Sequence, residues 1–347
     1  MSLASERSGV ITSAVTFLTL TSERGCLVSV GFMRAVQFSE FGPPGVLRVA
    51  EVGEPHAGPG EIRIAVRASG LTPADTYLRA GRLAGIVATP FPHTTGVDAA
   101  GVVDEIGAGV TGVAPGDEVF GMIPMTVPPG GANADHAVLG MWAPKPAAWS
   151  WAEAGGAAGN VETATRVLDL LAAGAGHTVL VQGAAGGVGT IAVQLAAARG
   201  ATVIGTAGEH NHDLLRSLGA EPTTYGPGLR ERVRALAPGG VDAVFDCAGG
   251  ALPDLVAIAG DASRVVTIAD FDAASHGVHL SHSAPADDSA VGSADAMAPY
   301  GLEVAAGLAG EGRLRVPIAA EFPLAEAAAA HELSESRRAR GKIVLVN

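Results

Sequence analysis

Two rhythms of apolar and polar positions divide the chain. From residue 46 to about 139, short β-type runs at 46–51, 61–68, 99–106, 117–120 and 134–139 are cut by Gly, Pro and Asp. Many short strands at such spacing predict a barrel-like β domain. After Trp151, apolar strands at 178–182, 201–206, 241–246 and 264–269 alternate with helix-patterned stretches near 188–199, 211–218, 228–236 and 252–260. That alternation predicts an α/β unit on a parallel, doubly wound sheet. From about Pro299 the pattern changes again, to a helical 302–308, a strand-like 314–318, an alanine-rich helix and a strand at Lys342–Val346. This tail is expected to return to the first domain, with the Ser-, Asp-, Ala- and Gly-rich segment 281–294 as the crossing loop.

Composition narrows the classes. A chain of 347 residues that is 48% apolar can bury the core of two domains. Its formal charge of -13 repels a phosphate backbone, so nucleic acid is not an expected partner. The only cysteines, Cys26 and Cys247, cannot make a disulfide framework or a four-cysteine zinc site, which fits a reducing, cytoplasmic setting. The apolar run 11–20 is shorter than the roughly 20 residues of a membrane span, and no cleavage site follows it. Residues 1–32 are therefore expected to be an upstream, poorly ordered extension, with the globular part starting near Met33.

The most informative stretch joins the two rhythms of the second half. The strand Thr178–Gln182 runs into Gly183, Ala184, Ala185, Gly186, Gly187, Val188 and Gly189, and then into a helix marked by Val188, Ile191 and Leu195. Glycines let the backbone turn tightly against a pyrophosphate, and the first helical N–H groups point at it. Strand, glycines and helix in this order predict a dinucleotide site.

Further motifs fall in order along the chain: GLTPADTYLRAG at 70–81, GVDAAG at 96–101, GDEVF at 116–120, DCAGG at 246–250 and GKIVL at 341–345. With these the chain, over residues 33–347, resembles the medium-chain dehydrogenase/reductase superfamily and, within it, the zinc-free, zeta-crystallin-like quinone oxidoreductases. The resemblance implies an α/β protein with a GroES-like β-barrel catalytic domain, 33–157 and 292–347, plus a Rossmann doubly wound parallel-sheet cofactor domain, 158–291. Where zinc-dependent members carry Cys, His and Glu, this chain has Thr72, Val97 and Asp98. One carboxylate does not make the three-ligand set of a catalytic zinc, so no metal is expected, and Asp98 reads as a locally hydrogen-bonded strand-end residue.

Dinucleotide folds selective for NAD place an acidic residue about 20 positions after the first glycine; here Thr206 stands there, which leaves room for a 2′-phosphate and favours NADP(H). The resemblance implies His212, Tyr225 and Arg337 as phosphate partners. Glu209 opposes a phosphate and keeps NADH open. Cys247, Gly249, Gly250, Ile268 and Ala269 follow parallel strands, where ligands of open sheets collect. Gly208 and Lys342 belong to the same expected cofactor set. The resemblance also puts Thr163 beside the nicotinamide ribose, with a buried helix-start threonine as the alternative.

At the substrate end, donors must meet the charge that builds up on a carbonyl oxygen. Thr72 and Tyr77 are the candidates, with Asp75 shaping their site. Enoyl-thioester reductases of the superfamily carry a tyrosine where this chain has Leu83. Leu83, Ile86, Met122, Ile123, Met125 and Trp142 read as either an apolar pocket wall or core, and His93 and His136 as structural. The expected activity is NADPH-dependent hydride transfer to a quinone or other α,β-unsaturated carbonyl, without zinc. The alternatives are reduction of an enoyl thioester or biosynthetic intermediate, and a non-catalytic dinucleotide-binding protein. A small-molecule substrate is expected, no membrane partner, and a homodimer paired through an edge strand at 265–268 or 278–281.

Overall fold

The computed structural model describes residues 18–21, 27–124, 130–283 and 292–347. In the first half the strands run in the order Met141–Pro144, Glu118–Met122, Asp98–Ile106, Ile62–Leu71, Lys342–Val346 and Ile318–Pro323, with His136–Leu139 also pairing Ile62–Leu71. A smaller sheet sets Phe32–Phe38 between Arg48–Gly53 and His93–Thr94. The C-terminal strand thus closes onto the first half, antiparallel to Ile62–Leu71.

Along Ile62–Leu71 the sequence explains the placement. Ile62, Ile64, Val66 and Ala68 are buried on a period of two, with Arg63, Ala65 and Arg67 less so. The alternation stops at Ser69, Gly70 and Leu71, which are buried in succession. A side chain at Gly70 would meet Asp98 and Lys342, so this end of the strand is covered on both faces.

The second half is a six-stranded parallel sheet in the order Ala220–Thr223, Thr202–Thr206, Thr178–Gln182, Ala243–Asp246, Val265–Thr267 and His279–Leu280. The central strands carry apolar residues toward both faces because both are covered. Val179, Val181, Val203, Ala243 and Phe245 feed one core, and Leu180, Ile204 and Val244 the other. On the first face lie the helices Gly187–Ala198 and Ala158–Leu170, whose apolar residues share that core. Tyr300–Gly310 packs there too, against Ala158–Leu170 and Met141–Pro144.

Two expectations need correction. The strand expected at 314–318 forms instead at Ile318–Pro323. Gln194 explains the shift: its side chain donates to the Arg315 carbonyl and accepts from the Arg315 amide, both at 2.9 Å, so an amide group replaces a strand partner. The segment 265–268 is not an edge, since Val265–Thr267 lies between two strands; His279–Leu280 is the outer one. Within the arm expected to be poorly ordered, Leu18–Thr21 pairs antiparallel with Leu27–Val30. Residues 1–17 and 22–26 lie outside the described residues, as do Met125 and the stretch 284–291 of the expected crossing loop. No helix among the described residues is long and apolar enough to cross a membrane.

A candidate dinucleotide site and substrate cleft

The glycine turn is built as its sequence requires. Gly183 takes φ +76, a left-handed conformation that costs other residues energy. A Cβ at Gly189 would stand 2.3 Å from the Gly183 carbonyl oxygen, so only glycine lets the helix lie this close to the strand end. The helix Gly187–Ala198 starts after Gly186 with no side-chain cap, which leaves its first N–H groups free for a phosphate. Ala184, Ala185 and Val188 complete the turn. Gly341 donates its amide to the Ala185 carbonyl at 2.9 Å and bridges to Gly186, which pins the segment carrying Arg337 beside the turn. Arg337 is exposed, with φ +55.

Thr206 faces inward. It is fully buried, accepts from the Gly183 amide at 3.0 Å and donates to Gln182 Oε1 at 2.5 Å, so its hydroxyl supports the turn from below. The strand end beyond it is Ala207 and Gly208, and His212 Nε2 lies 3.4 Å from the Ala207 carbonyl oxygen. Ala207 also donates to the Thr223 carbonyl, so Tyr225, 61% exposed, reaches the same end of the sheet from the next strand.

The neighbouring strand ends are knitted together by Asp246, whose role was not singled out from the sequence. Fully buried, it accepts from the amides of Ala248 and Gly249, each at 3.0 Å, and from the Thr267 hydroxyl at 2.7 Å. Thr267 in turn accepts from the amides of Ala269 and Asp270, and Asp270 accepts from the Gly250 amide at 2.8 Å. An Asp directly before Cys-Ala-Gly-Gly at a strand end is the signal that marks it. Burial, helped by Asp246, pushes the Cys247 thiol well above its usual range, so it stays a neutral thiol. Ile268 donates its amide to the Asp246 carbonyl.

Asp98 departs from the expected local bonding. It is fully buried and reaches across the fold, accepting from the Gly159 amide at 3.1 Å and pairing with Lys342 Nζ at 3.4 Å. Burial pushes its carboxyl above the usual carboxylate range, and Lys342 and Gly159 offset only part of that. Lys342, expected among the cofactor residues, commits its ammonium to Asp98 and is itself buried. The Asp98 Oδ1 atom has no partner among the described residues. Thr163 is not at a helix start: it lies within Ala158–Leu170, beside the buried Glu162–Arg166 pair at 2.9 Å. That pair continues to Ser281, bonded by Arg166, and to Asp295 at 3.7 Å, and ties this helix to the outer strand region.

At the substrate end Thr72 caps the helix Pro73–Arg79. Its amide and its hydroxyl both donate to Asp75 Oδ2, at 2.8 and 2.7 Å, and its oxygen accepts from the Asp75 amide. The one hydroxyl proton is spent on that cap, so Thr72 has none left for a substrate oxygen. Asp75 Oδ1 accepts from the Gly96 amide at 2.9 Å and so fixes the GVDAAG turn. Tyr77 points across the cleft. Its ring meets Phe271, two residues beyond Ala269, edge-on at 6.3 Å, and its hydroxyl has no partner among the described residues. Met122 and Ile123 are core rather than wall, Trp142 packs against the barrel core, and Leu83 and Ile86 are half-buried on the loop after the helix. His93 is buried, and that burial lowers its pKa; His136 pairs with Asp104 at 3.3 Å.

A parallel sheet with an uncapped glycine turn, met by a barrel whose helix sets the Tyr77 ring against Phe271 beyond the strand ends, is the arrangement of a dinucleotide-binding class. Comparison with known proteins supplies the family. Residues 58–167 match the alcohol dehydrogenase GroES-like domain, and 218–345 match the zinc-binding dehydrogenase family. A solved NAD-dependent alcohol dehydrogenase is 31% identical, with a TM-score of 0.75 over 91% of this chain and 100% of that one. The quinone oxidoreductase of Coxiella burnetii is 29% identical, with a TM-score of 0.74 over 91% of this chain and 99% of that one. Erythronolide synthase EryA2 of Saccharopolyspora erythraea is 35% identical over 82% of this chain, which spans 8% of that protein. The chain spans less than a tenth of the curated synthases it matches. It belongs to the medium-chain dehydrogenase/reductase family.

Two groups follow from that family, and the residues treat them differently. A nicotinamide dinucleotide fits the free helix N-terminus and the glycine turn. Zinc does not fit: Thr72 is spent in a cap, Val97 has no donor atom and Asp98 is held by Lys342 and Gly159. Among the described residues no group of three or more His, Cys, Asp or Glu side chains is placed to hold a metal.

Proposed function

We propose that the protein reduces a quinone or another α,β-unsaturated carbonyl with NADPH, and that no zinc takes part. The observation that carries this reading is Tyr77, with its unpartnered hydroxyl, facing the loop that follows the parallel strands while the metal-ligand positions are occupied by other bonding. Bound NADPH supplies hydride from C4 of its nicotinamide. The chain does the rest. Gly183 to Gly189 and the helix amides hold the pyrophosphate, while Gly208, His212, Tyr225 and Arg337 receive the 2′-phosphate. Gly249, Gly250, Ile268 and Ala269 border the nicotinamide side with Thr163. Tyr77 donates its proton or a hydrogen bond to the substrate oxygen as negative charge develops there, and Asp75 and Thr72 keep its helix in place. Replacing Tyr77 by Phe is expected to lower kcat about a hundredfold while the dissociation constant for NADPH stays within error. Unchanged quinone turnover in that variant would remove Tyr77 from the reaction.

A second reading, reduction of an enoyl thioester, is favoured by the alignment with EryA2 over 82% of the chain and opposed by Leu83. Parallel assays with a quinone and crotonyl-coenzyme A separate the two, and NADPH binding with neither turnover identifies a binding protein. The outer strand His279–Leu280 is the surface through which a homodimer would form, because an unpaired strand edge needs covering.

A further inference from the structure

Directly after the helix that carries Tyr77, Gly81 takes φ +71 and turns the chain back, and the Arg82 amide donates to the Tyr77 carbonyl at 2.9 Å. This turn holds the Arg82 guanidinium over the Tyr77 ring, 4.6 Å from its centroid. The attraction of a cation for the ring face restrains a side chain that would otherwise sweep through solvent. Arg82 is exposed, and its guanidinium makes no ion pair or hydrogen bond among the described residues, so all its N–H donors remain unspent. Tyr77 therefore has a cation on its face and Phe271, itself 50% exposed, at its edge. An entrance of this kind offers aromatic surface to a flat conjugated molecule and a planar, doubly donating fork to an oxyanion. A chain with a formal charge of -13 repels anions at long range, so a fixed guanidinium at the cleft is a local exception.

We propose that Arg82 is a specificity-determining residue, selecting conjugated carbonyl substrates that carry a carboxylate or phosphate group away from the reacting carbon. This rests on the proposed function, because it concerns the same cleft and the same Tyr77. Bidentate pairing with the oxyanion holds the substrate body against Tyr77 and Phe271 and leaves the reacting carbonyl free to face the cofactor.

The test compares three benzoquinones with one ring and one alkyl chain, ending in a carboxylate, a phosphate or the methyl ester of the carboxylate. The wild-type protein is expected to favour the carboxylate or the phosphate over the ester by about tenfold in kcat/KM, chiefly through KM. Whichever anion is favoured names the group. Arg82→Gln should bring that ratio close to one, and Arg82→Lys, which keeps the charge without the fork, should retain part of it. Because the ratio is taken within each variant, a general displacement of Tyr77 or loss of stability cancels. Ester turnover with a ratio near one in the wild type, or a ratio unmoved by Arg82→Gln, would overturn the role of Arg82 alone. No turnover of any of the three would overturn the quinone reading, and this inference with it.

Discussion

Asp98 and Lys342 show what a single position can hide. Each stands in a motif readable from the sequence, yet their pairing joins positions 244 residues apart, and local spacing carries no trace of it. Taking one member away leaves a buried charge without its partner, so Lys342→Met is expected to cost about 3 kcal/mol in urea unfolding. Adding Asp98→Asn to that variant should restore much of the loss. If Lys342→Met unfolds like the wild type, the pair is not a structural tie. Thr72 teaches the reverse lesson. Its place in the 70–81 motif was legible, but its hydroxyl bonds three residues on, a capping pattern common to helix starts.

At the scale of elements, the helix Pro73–Arg79 is held from behind by Ala327–Glu335. Arg79, fully buried, bonds Glu335 and the Gly42 carbonyl, and its Nε donates to His331 Nδ1 at 3.3 Å. That bond needs a neutral ring, and burial lowers the His331 pKa to about 4. Since the unfolded histidine titrates near 6.5, the unfolded chain binds the extra proton between these values, and the native fold is penalised as pH falls from 6.5 to 4. Stability is complete above that window and should be about 2 kcal/mol lower at pH 5 from this group. Urea titrations at pH 7 and pH 5 should show the loss in the wild type and a smaller one in His331→Gln; equal losses would contradict the assignment. Gly189→Ala tests the other half of the cleft. Its methyl group would meet the Gly183 carbonyl, so we expect about 2 kcal/mol of lost stability and weaker NADPH binding by fluorescence titration. Four strands of the parallel sheet, Thr178–Gln182, Thr202–Thr206, Ala243–Asp246 and Val265–Thr267, and the helices that alternate with them were legible because both-face burial and the helical repeat leave strong patterns; Ala220–Thr223, with Glu221 and Pro222 at its centre, carries no such pattern and went unread. The strand at Ile318–Pro323 was not, because Leu314 and Val316 are apolar for the core they enter rather than for a ladder.

For the whole molecule, the sequence made the two folding units and the returning tail visible through ordered motifs, but not how the halves meet. Tyr77 against Phe271, Asp98 with Lys342, and Gly341 against Ala185 are all contacts between distant segments. A ligand that spans such contacts stabilises the native state by mass action. NADPH at a hundred times its dissociation constant should add about 2.7 kcal/mol, and NADH at the same concentration less, because NADH has no 2′-phosphate for the proposed site at Gly208, His212, Tyr225 and Arg337 to hold. Equal melting shifts with the two coenzymes would contradict the preference.

The central claim is hydride delivery to a conjugated carbonyl in a cleft that uses no metal ion. Quinone-dependent oxidation of NADPH by protein treated with a strong chelator, with zinc content measured on the same sample, tests it most directly. We expect turnover to be the same before and after chelation. Activity that disappears with zinc and returns when zinc is added back would contradict the account.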